Sequence, residues 1–283
     1  MQIRAGFQIS FNCPAPTPMS LLLSVHPDRR ADLITPDTLA ASPAAPMSRE
    51  PDLFGNIVTR VLAPAGPITF SALFDIADSG EPDVQDWAAG QVPVEALPSE
   101  ALPFLLASRY CETDELNDLA WSLFGATKPG WARVQAIVDY VHDRIRFGYH
   151  HARATRSAKQ GHEERVGVCR DFAHLAVALC RCMNIPARYC TGYLGDIGIP
   201  PVDAPMDFSA WFEVYLEGGW RTFDARHNTP RIGRIVIARG RDAADVAIST
   251  SFGTAWLTEF KVFTDEVTGI DDRFHQTRLM AAE

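Results

Sequence analysis

The sequence has no apolar run near the roughly 18 residues that a membrane-spanning helix requires, so no spanning segment is expected. Its first residues, MQIRAGFQISFNC, alternate apolar and polar side chains and lack a continuous apolar core. They do not read as a secretory signal peptide. There is no excess of basic charge: 26 Lys and Arg stand against 35 Asp and Glu, a net charge of −9. That balance gives no support to nucleic-acid or anionic-membrane binding. None of the six cysteines forms a CxxC pair, which argues against both a disulfide framework and a zinc site. Cys180 and Cys182 lie two apart in a helical pattern and point to different faces. The expectation is a cytoplasmic chain with reduced thiols, no metal and no cofactor. No internal repeat stands out.

What is present is the composition of a globular protein, 47% apolar and 22% charged over 283 residues, enough for one large or two moderate domains. Residues 1–100 are rich in proline and short alternating stretches. RAGFQISFNC, IVTRVLAP and ITFSALFDI read as strands separated by turn segments, so an N-terminal β-sandwich domain is expected there. Residues 101–283 read as a second, α+β domain. In CETDELNDLAWSLFG, Thr113 is the expected N-cap and Gly125 the stop. Val134, Ile137, Val138, Val141 and Ile145 follow at helical spacing. HHARATRSAKQGHEERVG is polar and aperiodic, so it reads as a loop. DFSAWFEVYLEGGWRTFDARHN reads as a hairpin turning near Gly218 and Gly219, with further strands in RIVIAR and FKVF.

The stretch between them, GVCRDFAHLAVALCRCMNIPARYC, carries the chemistry. Cys169 opens a helix that is apolar nearly all round from Phe172 to Met183 and is expected to be buried. A helix N-terminus favours a thiolate and offers unpaired N–H groups to an oxyanion. A lowered thiol pKa is therefore expected at Cys169. The plainer alternative is a small buried hydrophobe, which is the reading for Cys180, Cys182 and Cys190.

These residues, with AWFEVYL and WRTFDARHN behind them, resemble the bacterial transglutaminase-like proteins, relatives of papain-like cysteine proteases, over roughly residues 105–245. The resemblance implies a papain-like/transglutaminase-like core, preceded by the N-terminal β domain. It also implies acyl transfer through a thioester on a Cys-His-Asp triad. Cys169 matches the nucleophile and Asp224 the carboxylate. The family histidine position, just before AW, is Ser209. A hydroxyl has no basic nitrogen, so general-base help worth roughly 10²–10⁴ in rate must come from elsewhere or be lost.

Among the eight histidines, His174 is about 7.5 Å along the helix and some 140° round from Cys169, out of easy reach of the sulfur. His150, His151 and His162 lie in the polar segment ahead of Cys169. His227, three residues beyond Asp224, is the preferred candidate for a substitute base. A two- or four-residue hairpin turn would put Ser209 and Asp224 on one face. Trp211 and Tyr193 are candidate substrate-binding residues. Arg170 and Asp171 read as an ion pair fixing the helix start. The arginine-rich stretch from Arg226 through Arg241 reads chiefly as a solvated surface, with an acidic peptide or carboxylate as the sharper alternative.

Two functions follow as expectations. One is a thiol acyltransferase or hydrolase, a cysteine protease in the broad sense, acting on amide, peptide or ester bonds of a peptide or protein. The other is a triad-degenerate member that binds a peptide or protein without turnover.

Overall fold

The computed structural model describes residues 1–200 and 206–268. Six strands come first: β1 (Gln2–Cys13), β2 (Thr17–Leu21), β3 (Ala40–Ser42), β4 (Met47–Pro51), β5 (Ile57–Ala63) and β6 (Gly66–Ala77). Helices α1 (Thr113–Phe124) and α2 (Trp131–Arg144) follow, then the short strand β7 (Arg146–Phe147), helix α3 (Ala158–Glu164), the short strand β8 (Val166–Gly167) and helix α4 (Cys169–Cys182). The chain closes with β9 (Ala187–Tyr193), β10 (Ser209–Leu216), β11 (Gly219–Phe223), β12 (Ile235–Gly240), β13 (Ser249–Ser251) and β14 (Trp256–Glu266).

The N-terminal strands form two sheets of order β14-β1-β6-β3 and β13-β2-β5-β4. Alternation dictates their packing. Ile3, Ala5, Phe7, Ile9 and Phe11 of β1 and Ile68, Phe70, Phe74 and Ile76 of β6 are buried, in one cluster with Met19, Leu21, Val61 and Ala63 of the other sheet. A division of the chain at residue 100 must be corrected at its far end. β13 and β14 stand on the core side of that boundary, yet their ladders run to β2 and β1. Local pattern marks them as strands; it does not encode which edge they complete.

The core sheet has order β11-β10-β9-β12, antiparallel throughout, with α4 packed on β10 and β9. Every residue of α4 from Asp171 to Cys182 is buried. Leu175, Val177 and Leu179 are fully enclosed, each worth roughly 1.5–3 kcal/mol. Phe212, Val214 and Leu216 of β10 belong to the same cluster as these helix residues. The hairpin turn is Glu217–Gly218, because Leu216 pairs with Gly219. Odd positions of β10 therefore oppose even positions of β11, the parity that places Ser209 and Asp224 on one face.

Two local expectations shift. Helix α1 begins at Thr113 with Glu112 as its cap residue, one position earlier than expected. The segment read as a loop contains α3, opened by a capping box in which Ser157 N–H donates to Gln160 Oε1 at 3.2 Å.

Gly192 sits where β9 is flanked by Ser209 of β10 and Val236 of β12. A Cβ there would press into the Ile235 carbonyl, a backbone atom that cannot swing aside. Gly192→Ala is expected to destabilise the fold by about 1–3 kcal/mol through overpacking, measured by urea unfolding.

Candidate active site

Cys169 is the first residue of α4, and the chain before it is built to hold it there. The Val168 N–H donates to Asp171 Oδ2 at 2.9 Å, and the Asp171 N–H to the Val168 carbonyl at 2.8 Å, closing the helix start reciprocally. Gly167 makes room for this carboxylate: a Cβ would meet Asp171 Oδ2 at 2.7 Å. Arg170 contributes at 3.4 Å, as the ion pair expected from sequence. The shorter partner is Arg156, whose Nη1 lies 2.9 Å from Asp171 Oδ2 with both side chains buried. Arg156 is fifteen residues away in the polar segment, where no periodicity flagged it.

After β11 the chain turns sharply. The Asn228 N–H donates to the Asp224 carbonyl at 2.8 Å, one helical turn that is not continued. Asp224 Oδ1 accepts the N–H groups of Arg226 at 3.0 Å and His227 at 3.1 Å. Residues three apart face each other in such a turn, and His227 Nδ1 lies 2.8 Å from Asp224 Oδ2. Asn228 pins the turn to α2, accepting from Gln135 at 2.9 Å and donating to Asp139 at 2.9 Å. Arg234 completes the carboxylate, with Nη2 3.0 Å from Asp224 Oδ2.

Cys169, Ser209 and His227 line one cavity of about 200 Å³, together with Arg226, Asp207 and Tyr149. The structure thus brings the preferred substitute base to the nucleophile's cavity and ties it to the family carboxylate. Among the described residues, no hydrogen bond joins the Cys169 sulfur to an imidazole nitrogen in this resting arrangement. Catalytic hydrogen bonds commonly tighten only when substrate is bound. The other histidines are accounted for differently. His174 Nε2 accepts the Ala243 N–H at 3.1 Å in the core, and His162 Nε2 meets the Tyr140 hydroxyl at 2.8 Å. His150 and His151 pack on each other with ring centroids 3.9 Å apart and do not line the cavity.

Electrostatics overturn one expectation. Burial pushes the Cys169 thiol up to about 11. The Arg226 guanidinium and the Ala210 N–H pull it down, while Asp207 and Asp224 push it further up. Desolvation is the largest of these influences, because the walls of the cavity strip water from the sulfur. Cys169 retains partial exposure. Its alkylation rate by iodoacetamide is therefore expected to keep climbing through pH 10, rather than levelling near the ordinary thiol range of about 8.5. For Asp224, burial pushes upward, but Arg234 and His227 win and hold the carboxyl well below the usual range. A folded-state pKa lowered in this way stabilises the protein above the unfolded value of about 3.9, and the benefit is lost as pH falls through the folded one.

The two expected substrate-binding residues lie elsewhere. Tyr193 is fully buried between Phe74 and Phe208, at centroid distances of 5.6 and 5.0 Å. Trp211 is 2% exposed and packs with Cys190 and Val236, the Arg234 guanidinium 5.1 Å above its ring. Both are strand aromatics used for packing, the commoner fate of such residues. Trp220 likewise packs against Phe104 and Arg188. Among the cavity-lining residues that sequence reasoning missed, Tyr149 and Asp196 are brought beside the sulfur by the tertiary fold, whereas Asp207 lies two residues before Ser209 and could have been found from that motif.

Residues 118–225 match the family model of the transglutaminase-like superfamily. A solved structure of a candidate cysteine protease from Cytophaga hutchinsonii is 31% identical, covers 95% of this chain and 91% of its own, and superposes with a TM-score of 0.79. An uncharacterized protein of Mycobacterium tuberculosis is 29% identical over 231 residues, 74% of this chain and 73% of the relative. One from Mycobacterium leprae is 36% identical over 88 residues, 29% of this chain and 30% of the relative. Among the described residues, no helix is long and apolar enough to cross a membrane.

Proposed function

Because the chain belongs to the transglutaminase-like superfamily, we propose that it is a thiol acyltransferase or hydrolase whose base stands at position 227 instead of 209. The observation that carries this reading is the 2.8 Å contact of His227 Nδ1 with Asp224 Oδ2, in a residue that lines the Cys169 cavity. Nδ1–H held by the carboxylate leaves Nε2 as the acceptor, the tautomer a base requires.

The steps balance as follows. The Cys169 sulfur attacks the acyl carbon of an amide, peptide or ester while its proton passes to His227 Nε2. A bond from sulfur to carbon forms, and the carbonyl electrons move to oxygen. The N–H groups of Cys169 and Arg170 lie in the first helical turn, without intrahelical acceptors, and serve that oxyanion. The tetrahedral species collapses, the bond to the leaving amine or alcohol breaks, and the imidazolium returns the proton to it. Water or an amine then takes the acyl group from the thioester by the reverse sequence. Asp224 stabilises the imidazolium in both halves.

The test is a stopped reaction with an activated ester such as a para-nitrophenyl ester, followed by peptide mapping. A thioester on Cys169 is the expected result; an ester-treated protein with Cys169 unmodified overturns the reading.

A second reading, a binding protein without turnover, draws on the thiol held neutral by burial. Ser209→His separates the two. If His227 already serves as base, a second imidazole is expected to raise the acylation rate by less than about tenfold. A gain approaching the full general-base factor of about 10²–10⁴ indicates that the native site lacks its base.

A further inference from the structure

The Cys169 cavity holds more hydrogen-bond donors than thioester chemistry uses. Arg231 is 4% exposed and lines the cavity. Its Nη2 donates to the Gly195 carbonyl at 2.8 Å, which sets the guanidinium on the Leu194–Asp196 side of the space. Its ion-pair partner Asp196 stands 3.9 Å away, beyond hydrogen-bonding distance. Its Nε is buried without a hydrogen-bond partner. Ser209 is 6% exposed, and its Oγ is likewise buried and unpartnered. Arg226 supplies a second guanidinium to the same cavity, seated 3.8 Å above the Phe147 ring.

Leaving two such groups unpaired is unfavourable, more so where one is charged. An apolar substrate would leave both penalties standing. Two carboxylates, Asp196 and Asp207, face the same space. Burial pushes the Asp207 carboxyl up, against the pull of the Phe208 N–H and the Arg226 guanidinium. Burial, with Arg234 and Arg226 nearby, pulls Arg231 down, while Asp224 and Asp196 pull it back up.

We infer that the cavity receives a free carboxylate carried by the acyl group, so that the substrate is an ester, thioester or amide at one end of a short dicarboxylic acid. The Arg231 Nε–H and the Ser209 hydroxyl donate to the carboxylate, and Arg226 adds attraction. The volume of about 200 Å³ holds roughly six or seven waters at about 30 Å³ each, room for a chain of glutarate size. The inference rests on the acyl-transfer reading and names its substrate class. It also gives Ser209 a purpose: the position that holds the family histidine becomes part of the acyl-group subsite.

The test compares para-nitrophenyl hydrogen glutarate with its methyl ester on the wild-type protein, reading the acylation rate of Cys169 and the mapped adduct, each relative to a small free thiol in the same buffer, which removes activation of the charged ester by its own carboxylate. The charged ester is expected to react about tenfold faster or more, the worth of one charge-assisted hydrogen bond. Free glutarate is expected to slow it, and dimethyl glutarate is not. In Arg231→Met the ratio of the two rates is expected to fall to near one, with Arg231→Lys recovering part of it. Should the buried arginine prove necessary for folding, the wild-type ratio and glutarate competition decide alone. Equal rates for both esters overturn the inference and leave acyl transfer intact. Glutarate binding by calorimetry without any Cys169 adduct overturns acyl transfer and leaves an anion site. Neither binding nor adduct removes both.

Discussion

His227→Gln is expected to slow acylation of Cys169 by about 10²–10⁴-fold, the range for loss of a positioned general base. The thiol needs that base more than most. A sulfur at a solvated helix end begins partly ionised, and losing its base costs it little. This one is pushed up to about 11 by burial, so at neutral pH the nucleophile must be deprotonated during attack. Glutamine keeps the size and a donor toward Asp224 but cannot accept the proton. Two readouts separate a lost base from a disturbed turn. The loss is expected to shrink as pH approaches the thiol's own range, where hydroxide does the work. It is also expected to be smaller for an activated ester than for an amide, whose amine leaving group needs an acid. A structural defect moves neither.

Asp171→Ala is expected to destabilise the protein by about 3–5 kcal/mol, measured by urea unfolding. The carboxylate is fully buried and accepts both from the Val168 N–H and from Arg156 Nη1 at 2.9 Å. Removing it strands a buried guanidinium and an orphan amide together. Arg156 keeps Glu164 at 3.0 Å and the His151 carbonyl at 2.8 Å, which favours the lower end of that range. Asp171→Asn keeps the amide partner and loses only the charge, so its cost is expected to be smaller. Both variants also loosen the first turn of α4, and the acylation rate is expected to fall with them, because the oxyanion donors belong to that turn.

Much of the fold was legible because periodicity reports burial. The apolar face of α2, the enclosed α4 and the alternating β1, β5 and β6 each carry a pattern that only one packing satisfies. The hairpin was legible as well, since turn length fixes parity and parity fixes which residues share a face. Features set by distant chain were not. That β14 would close the sheet beside β1, or that Arg156 would find Asp171, depends on packing no local window contains.

The site divides along the same line. Cys169 and Asp224 stand in motifs, and His227 follows from its spacing to Asp224 once the strand is allowed to end. The thiol's electrostatics are not legible in the sequence, because a helix end is local and visible, whereas desolvation belongs to the whole cavity. The burial of Tyr193 and Trp211 is hidden from the sequence for a related reason. An aromatic on a strand beside a nucleophile looks like a cleft wall until the sheet's second face is known to be covered.

The claim on which the rest depends is that an imidazole at position 227 performs the work of the family histidine at position 209. A double-mutant cycle on the acylation rate of Cys169, built from Ser209→His, His227→Gln and the two together, tests it most directly. If the claim holds, His227→Gln loses its rate in the presence of Ser209 and recovers most of it in the presence of histidine at 209, a strong coupling between the positions. Additive effects, or a His227→Gln variant as fast as the wild type, would contradict it.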